Sequence, residues 1–324
     1  MSKITYCDVG NEYNGWSLVS WFREKYPHIK FHTLQKLLRT GQIRVDGARV
    51  KSAFRLSVGQ NIRVPPLDSP PYPISDKKEQ APPHNVVKMI TDGVLFIDKD
   101  FLVINKPAGL AVQGGTKINI HINGMLDFLK FGNAEAPRLV HRLDKETSGA
   151  LLLARSKEAA TMLSNNFMNK EIKKSYLSFV VGKPAKKSGV IQLNLQKERL
   201  KFGEKVVVNH KNGKLSQTKY KVMETKNNIS LISLEPITGR THQIRVHLSI
   251  GLGTPILCDG KYGGEKAFVS TVKNTNLLYL HANAIRVPSR RNGYIDVFAP
   301  IPKVFLSTAQ ILGFDLSHSS NSFL

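Results

Sequence analysis

Seven of the chain's 16 prolines lie between Pro65 and Pro83, in PPLDSPPYPISDKKEQAPP. Proline lacks a backbone N–H and locks φ, so this stretch suits neither a helix interior nor a central strand. It reads as an extended linker. The chain of 324 residues is thereby predicted to divide into a small module (1–66), a linker (67–90) and a larger domain (91–324).

Within the module, Leu18, Trp21 and Phe22 stand at helical spacing. TLQKLLRT (33–40) offers Thr33 as a cap, Leu34, Leu37 and Leu38 as an apolar face, and Gly41 as a stop. QIRVDGARVK predicts two short strands around Asp46-Gly47, the favoured chemistry of a tight hairpin turn. A last strand is expected in QNIRVP. Up to Pro66 there are 11 Lys+Arg and 4 Asp+Glu, so the module carries 11 − 4 = +7.

The whole chain carries 47 Lys+Arg against 24 Asp+Glu, a formal charge of +23. Such an excess points to a polyanionic partner, nucleic acid before an acidic membrane surface. No apolar run approaches the roughly 18 residues of a membrane span. The start, MSKITYCDVGNEYNG, has no signal-peptide core, which predicts a cytoplasmic protein. Cys7 and Cys258 are the only cysteines, and a disulfide framework is not expected.

The larger domain reads mostly as strands. VLFID and FLVINK flank a Lys-Asp turn and lead into KPAGL. Ala150–Ala154, 175–181, 190–195, 217–223 and 229–235 follow, with a helix from Ser156 to about Lys170 and another over 240–250. Strands joined by short turns predict an α+β domain with a mixed, largely antiparallel sheet.

No Cys-x-x-Cys or HExxH motif suggests a metal. His242 and His247, about 140° apart on the expected helix, cannot share a ligand face. The phosphate-loop and GxGxxG patterns are absent, so neither ATP nor NAD is implied. LVHRLDKETSGALLLAR (139–155) crowds charged and titratable groups from His141 to Glu146 just before an apolar run. Asp144 on its own reads equally as a structural aspartate, capping a turn or pairing with Arg142, and as a functional one. GRTHQIRVH adds Arg240 and Arg245, and Tyr176 opens an apolar strand after Lys173-Lys174. A carboxylate, a guanidinium and an aromatic ring would make a compact site able to stack a base and attack it.

KPAGL, HRLDKETSG, KKSYLSFVVGKP, PITGRTHQIRVHLSIGLGTPILCDGKYG and LLYLHA, in this order, resemble the bacterial ribosomal large-subunit pseudouridine synthases of the RluA type. The module resembles the S4 RNA-binding domain, which makes the C and D members of that type the best match. The resemblance runs from about residue 15 to residue 313, with Cys258 standing where the family usually has Gly. It implies an enzyme that isomerises uridine in large-subunit ribosomal RNA, as a monomer, with no cofactor or metal. Asp144 would be the catalytic nucleophile or base, attacking C1′ or C6 or removing a sugar proton. Arg245 would be its ion-pair partner, Tyr176 would stack on the uracil, and Arg142 would fill the space of the extruded base. His141, Arg240, His242 and Gln243 would shape the loops or touch RNA.

Overall fold

The computed structural model describes residues 4–29, 31–67, 82–114, 118–200, 203–272, 277–289, 293–316 and 323. The chain forms two compact units, Met1–Gln80 and Ala81–Leu324.

In the first unit, β1 (Thr5–Asp8), β2 (Arg44–Val45) and β3 (Asn61–Val64) form an antiparallel sheet in the order β1-β3-β2. Helix α1 (Leu18–Lys25) starts where the Ser17 hydroxyl accepts the Ser20 N–H at 3.1 Å. Its Leu18, Trp21 and Phe22 are buried with Leu34 and Leu38 of α2 (Phe31–Arg39) and with Ile62 and Val64 of β3. The helical spacing of those residues was therefore a faithful guide to the core. Helix α2 begins at Phe31, so Thr33 is inside it and is not its cap. Asp46 (φ 48°) and Gly47 (φ 77°) make the predicted tight turn with both residues left-handed. The second hairpin strand shrinks to one bridge, Val45 with Ala48. Asp46 accounts for this, because its carboxylate accepts Asn61 N–H and the Gln60 amide and so ties the turn to β3 instead.

The expected linker is corrected at its end. Residues His84–Asp92 form helix α3 with Pro83 as the N-cap residue, a place where the missing proline N–H costs nothing. Ile90 on this helix is fully buried in the second unit's core. The proline-rich residues 68–81 lie outside the described residues.

The second unit is built on one 11-stranded sheet. Its strands are β4 (Val94–Ile97), β5 (Phe101–Lys106), β6 (Arg138–Leu139), β7 (Ser148–Ala154), β8 (Lys173–Val181), β9 (Ser188–Leu200), β10 (Gly203–Val208), β11 (Lys214–Lys226), β12 (Ile229–Pro236), β13 (Leu280–Pro288) and β14 (Tyr294–Phe298). The main path is β10-β9-β11-β12-β8-β13-β7-β5-β4, with β14 on β13 and β6 on β7. Every pairing is antiparallel except β13 with β7. The mixed, largely antiparallel α+β sheet expected from the sequence is what forms.

The apolar run of β7 is explained by cover on both faces. Leu151 and Leu153 join one core with Leu102 and Ile104 of β5. Ala150, Leu152 and Ala154 join another with Phe101, Val103 and Ala159 and Leu163 of α4 (Lys157–Met168). Burying each leucine side chain contributes about 1.5–3 kcal/mol. The expected helix over 240–250 is shorter: α5 spans Gln243–Val246 and a π turn follows over His247–Gly251. Helix α6 (Gly260–Gly263) is capped by Asp259, and α7 (Lys303–Leu312) packs Phe305 and Ala309 against the first core. Among the described residues no helix is long and apolar enough to cross a membrane.

Gly149, where β7 meets β13, has φ 108°, and a Cβ there would lie 2.2 Å from the Ala282 carbonyl oxygen. Both the conformation and the contact demand glycine. Gly149→Ala should therefore destabilise the second unit by about 3 kcal/mol or more, read as a lower urea midpoint with unchanged m-value.

Candidate active site

The HRLD segment is the turn that carries the chain from β6 into β7, and it is fastened at three places. His141 Nε2 accepts the Leu152 N–H of β7 at 2.8 Å. The Asp144 carbonyl accepts Thr147 N–H at 3.1 Å, closing the turn. Lys106, fully buried at the end of β5, donates to the carbonyls of Pro107, Leu110 and Lys145 at 2.8, 2.8 and 3.0 Å. Burial pushes the Lys106 amine down to about 7, with Glu146 and Asp144 opposing the shift. A buried ammonium with three carbonyl partners fixes the residue next to Asp144 without needing a carboxylate.

Asp144 faces a cavity of about 550 Å³ between this turn, the end of α4, the start of β8 and the segment 236–245. It is the only carboxylate among the described residues lining that cavity. Arg142, Lys170, Lys174 and Arg240 line it too, and none has a carboxylate partner among the described residues. Lys174 and Tyr176 alternate along β8 and so share its pocket face. Burial lowers the Lys174 amine to about 8. It lowers His141 to about 3, with the nearby Lys174 charge adding to the effect. Tyr176 is buried, and its phenol is raised well above its usual value, first by burial and then by the Asp144 charge.

On the opposite wall, Gln243 is saturated. Its Oε1 accepts Arg240 N–H and the Thr238 hydroxyl, and its Nε2 donates to Gln217 O and Thr218 Oγ1. This uses every hydrogen-bonding position of the amide, so Gln243 shapes the loop and has nothing left for a ligand. Arg240 is exposed and donates to Leu215 O at 3.4 Å. Arg142, also exposed, reaches across to Thr241 Oγ1 at 3.2 Å. His242 sits outside the helix with φ 51° and ψ 22°, its Nε2 4.0 Å from Asp144 Oδ1. Burial depresses its imidazole, with Asp144 opposing.

The structure corrects the expected Arg245–Asp144 ion pair. Arg245 donates Nε to Asp259 Oδ2 at 2.9 Å and an η nitrogen to Oδ1 at 2.6 Å, both groups buried. Asp259 presents both oxygens because it caps α6, and the planar guanidinium matches them bidentately. Burial works against the Arg245 charge, but Asp259, with Asp144 adding, more than offsets it. Removing either partner would strand the other, a change costing roughly 3–5 kcal/mol. Just before Asp259, Cys258 has φ 65°, a conformation glycine adopts freely and cysteine at a cost of about 1–2 kcal/mol.

Comparison with known proteins places this geometry. The sequence profile of the RNA pseudouridylate synthase family matches residues 100–250. Ribosomal large subunit pseudouridine synthase C of Rickettsia conorii is 36% identical over 271 residues, which are 83% of this chain and 88% of that protein. The chain belongs to the RNA pseudouridine synthases. The Haemophilus influenzae protein of the same name is 33% identical over 298 residues, 90% of this chain and 89% of that one. The solved structure of Human RNA Pseudouridylate Synthase Domain Containing 4 superposes with a TM-score of 0.60 at 31% identity. It covers 71% of this chain and 97% of that one. This pseudouridine synthase is therefore an isomerase of the RluA type. Sequence reasoning gave no role to Lys106, Asp259 or Tyr262, although all three lie inside the motifs KPAGL and CDGKYG. A lysine followed by Pro-Ala-Gly, without an acidic neighbour, was the available signal for the first.

Two buried histidines give the pseudouridine synthase a predictable acid response. His247 and His281 are fully buried and held down at about 4 by burial. Their folded values lie below the ordinary 6.5, so between these pH values the unfolded chain binds more protons. Stability should rise with pH across that window and fall on acidification, by about 1.4 kcal/mol per pH unit for each fully titrating histidine. Urea midpoints of wild type and His281→Gln between pH 5 and 6.5 should show a shallower slope for the variant. Equal slopes would refute the assignment.

Proposed function

We propose that this chain isomerises particular uridines of large-subunit ribosomal RNA to pseudouridine, with Asp144 as the catalytic carboxylate. One observation carries this reading: among the described residues Asp144 is the single carboxylate of a cavity that also presents Tyr176 and four cations, Arg142, Lys170, Lys174 and Arg240, without carboxylate partners. The names of the relatives in Rickettsia and Haemophilus support the choice of RNA.

The reaction breaks C1′–N1, turns the uracil and forms C1′–C5. N1 gains a proton and C5 loses one, so substrate and product are isomers and no cofactor, metal or energy donor enters the balance. Whether the carboxylate adds to C1′, adds to C6 or removes a sugar proton, it must act ionised beside a uracil that cannot diffuse away. Arg245, itself fixed by Asp259, supplies positive charge near Asp144. Tyr176 offers the ring for stacking, and Arg240 and Lys174 offer cations to the RNA backbone. The basic module, 1–66, serves as an S4-like RNA-binding domain, joined through the proline-rich stretch that ends at Pro83 to the catalytic domain. The enzyme works as a monomer in the cytoplasm.

RNA tritiated at uracil C5 tests the reading, because isomerisation releases that hydrogen. Asp144→Asn should abolish release while RNA affinity stays within a few-fold. Turnover by the pure variant would remove Asp144 from the chemistry. Free uracil among wild-type products would indicate a glycosidase, and binding without release a purely RNA-binding role.

Arg142 carries a second test. A stacked uridine must be turned out before its glycosidic bond is reached, at a cost of a few kcal/mol that is least for an unpaired base. The exposed guanidinium at the cavity rim can stack in the vacated space and bond neighbouring bases. Arg142→Ala should then lose far more single-turnover rate on a folded rRNA fragment than on a short strand with the same uridine. Equal losses would leave Arg142 a mere neighbour of Asp144.

A further inference from the structure

The Tyr262 hydroxyl lies 2.6 Å from Nδ1 of His242. The same hydroxyl oxygen accepts the Val206 N–H of β10 at 3.1 Å. A phenol has one proton to give, and Nδ1 is the acceptor it meets among the described residues. Tyr262 therefore donates to Nδ1, and the single proton of the neutral imidazole resides on Nε2. Nε2 is the nitrogen that faces Asp144. The ring of Tyr262 has little freedom. The Arg245 guanidinium lies 5.1 Å from its centroid, its N–H caps onto Asp259 at 3.3 Å, and its carbonyl accepts the Ser249 hydroxyl at 2.6 Å. His242 meanwhile holds a left-handed backbone conformation that non-glycine residues adopt at a cost. Such outliers cluster at functional sites.

We propose that Tyr262 is a positioning residue: it locks His242 in the Nε2–H tautomer, so that a donor and not a lone pair faces Asp144. A lone pair there would repel the carboxylate. The N–H stabilises its ionised form and occupies one oxygen, leaving the other for the substrate. At 4.0 Å the contact is an electrostatic alignment in the free enzyme, of the kind that tightens when substrate binds. The inference rests on the reading of Asp144 as the catalytic carboxylate.

The test combines nitrogen NMR of the full chain labelled with ¹⁵N-histidine and single-turnover rates. His242 in the wild type should show an unprotonated Nδ1 and a protonated Nε2. Tyr262→Phe should populate the other tautomer and lower the saturating rate on the order of tenfold, as loss of such an outer partner typically does, with half-saturation unchanged. If that variant fails to fold, the comparison passes to His242 itself. His242→Gln keeps an amide N–H near the Nε2 position and should retain more rate than His242→Leu. A protonated Nδ1 in the wild type, an unchanged rate in Tyr262→Phe, or equal rates for the Gln and Leu variants would overturn the proposal. The spectra report the tautomer whether or not uridine is isomerised. An intact Nε2–H signal in a wild type without turnover would strike the Asp144 reading alone.

Discussion

The site depends on one contact, the short parallel pairing of β13 with β7. It joins the part of the sheet that ends in the Asp144 turn to the part that carries Tyr176. Ala282 stands opposite Gly149 and His281 opposite Ser148, while on the other edge of β13 His281 stands opposite Leu177. Asp144 and Tyr176 are thus anchored two strand spacings apart, about 10 Å, with Leu280 on the cavity wall between them. The Ser148 hydroxyl and His281 Nδ1, 2.9 Å apart, lock the register. A slip of one residue would turn Tyr176 to the other face of the sheet. The Thr-Ser-Gly after the acidic turn is therefore as necessary to the geometry as Asp144 itself.

Charge in the second unit is arranged by the same economy. Lys106 and Arg245 are deeply buried cations near Asp144, and each is satisfied by other partners, one by backbone carbonyls and one by Asp259. At the cavity's wall and rim, Arg142, Lys170, Lys174 and Arg240 have no carboxylate partner among the described residues. A site of this kind has little affinity for a cation and a ready one for a polyanion, which agrees with the overall excess of basic residues. Among the described residues no guanidinium pairs with Asp144.

Legibility in the sequence followed burial. The leucines of β7 and the Leu18, Trp21 and Phe22 face of α1 were readable because one hydrophobic pattern answers to one buried face. Gln196–Leu200 of β9 and all of β10 were not read as strands, since QKERL alternates charge with little apolar content and Lys197, Glu198 and Glu204 are exposed. Helix α3 was obscured by the prolines before it, although Pro83 does no more than start it. Asp144, Arg142 and Tyr176 were legible through their motifs, and the cavity brings all three together. The partner of Arg245 was not legible. Two carboxylates stood within plausible reach, and only the α6 cap geometry shows that Asp259 presents both oxygens.

Among the described residues of the second unit, Phe131, Lys170, Asn227, Asn228, His242 and Cys258 have positive φ without being glycine, and the last two bear on the site's geometry. His242 and Cys258 both hold left-handed backbone conformations without being glycine, and each adjoins a residue that fixes the site. His242 precedes Gln243, whose amide ties down residues 238–240; Cys258 precedes Asp259, which takes Arg245. Between them, Tyr262 connects this strained wall to Val206 on β10. The edge strand β10 is thereby coupled to the ring that faces Asp144. Natural sequences tend to break local preference where function demands a geometry the fold would not choose unaided. Here the two breaks flank the short helix α5, whose Ile244 and Val246 are held by packing and whose Gln243 and Arg245 are held by hydrogen bonds.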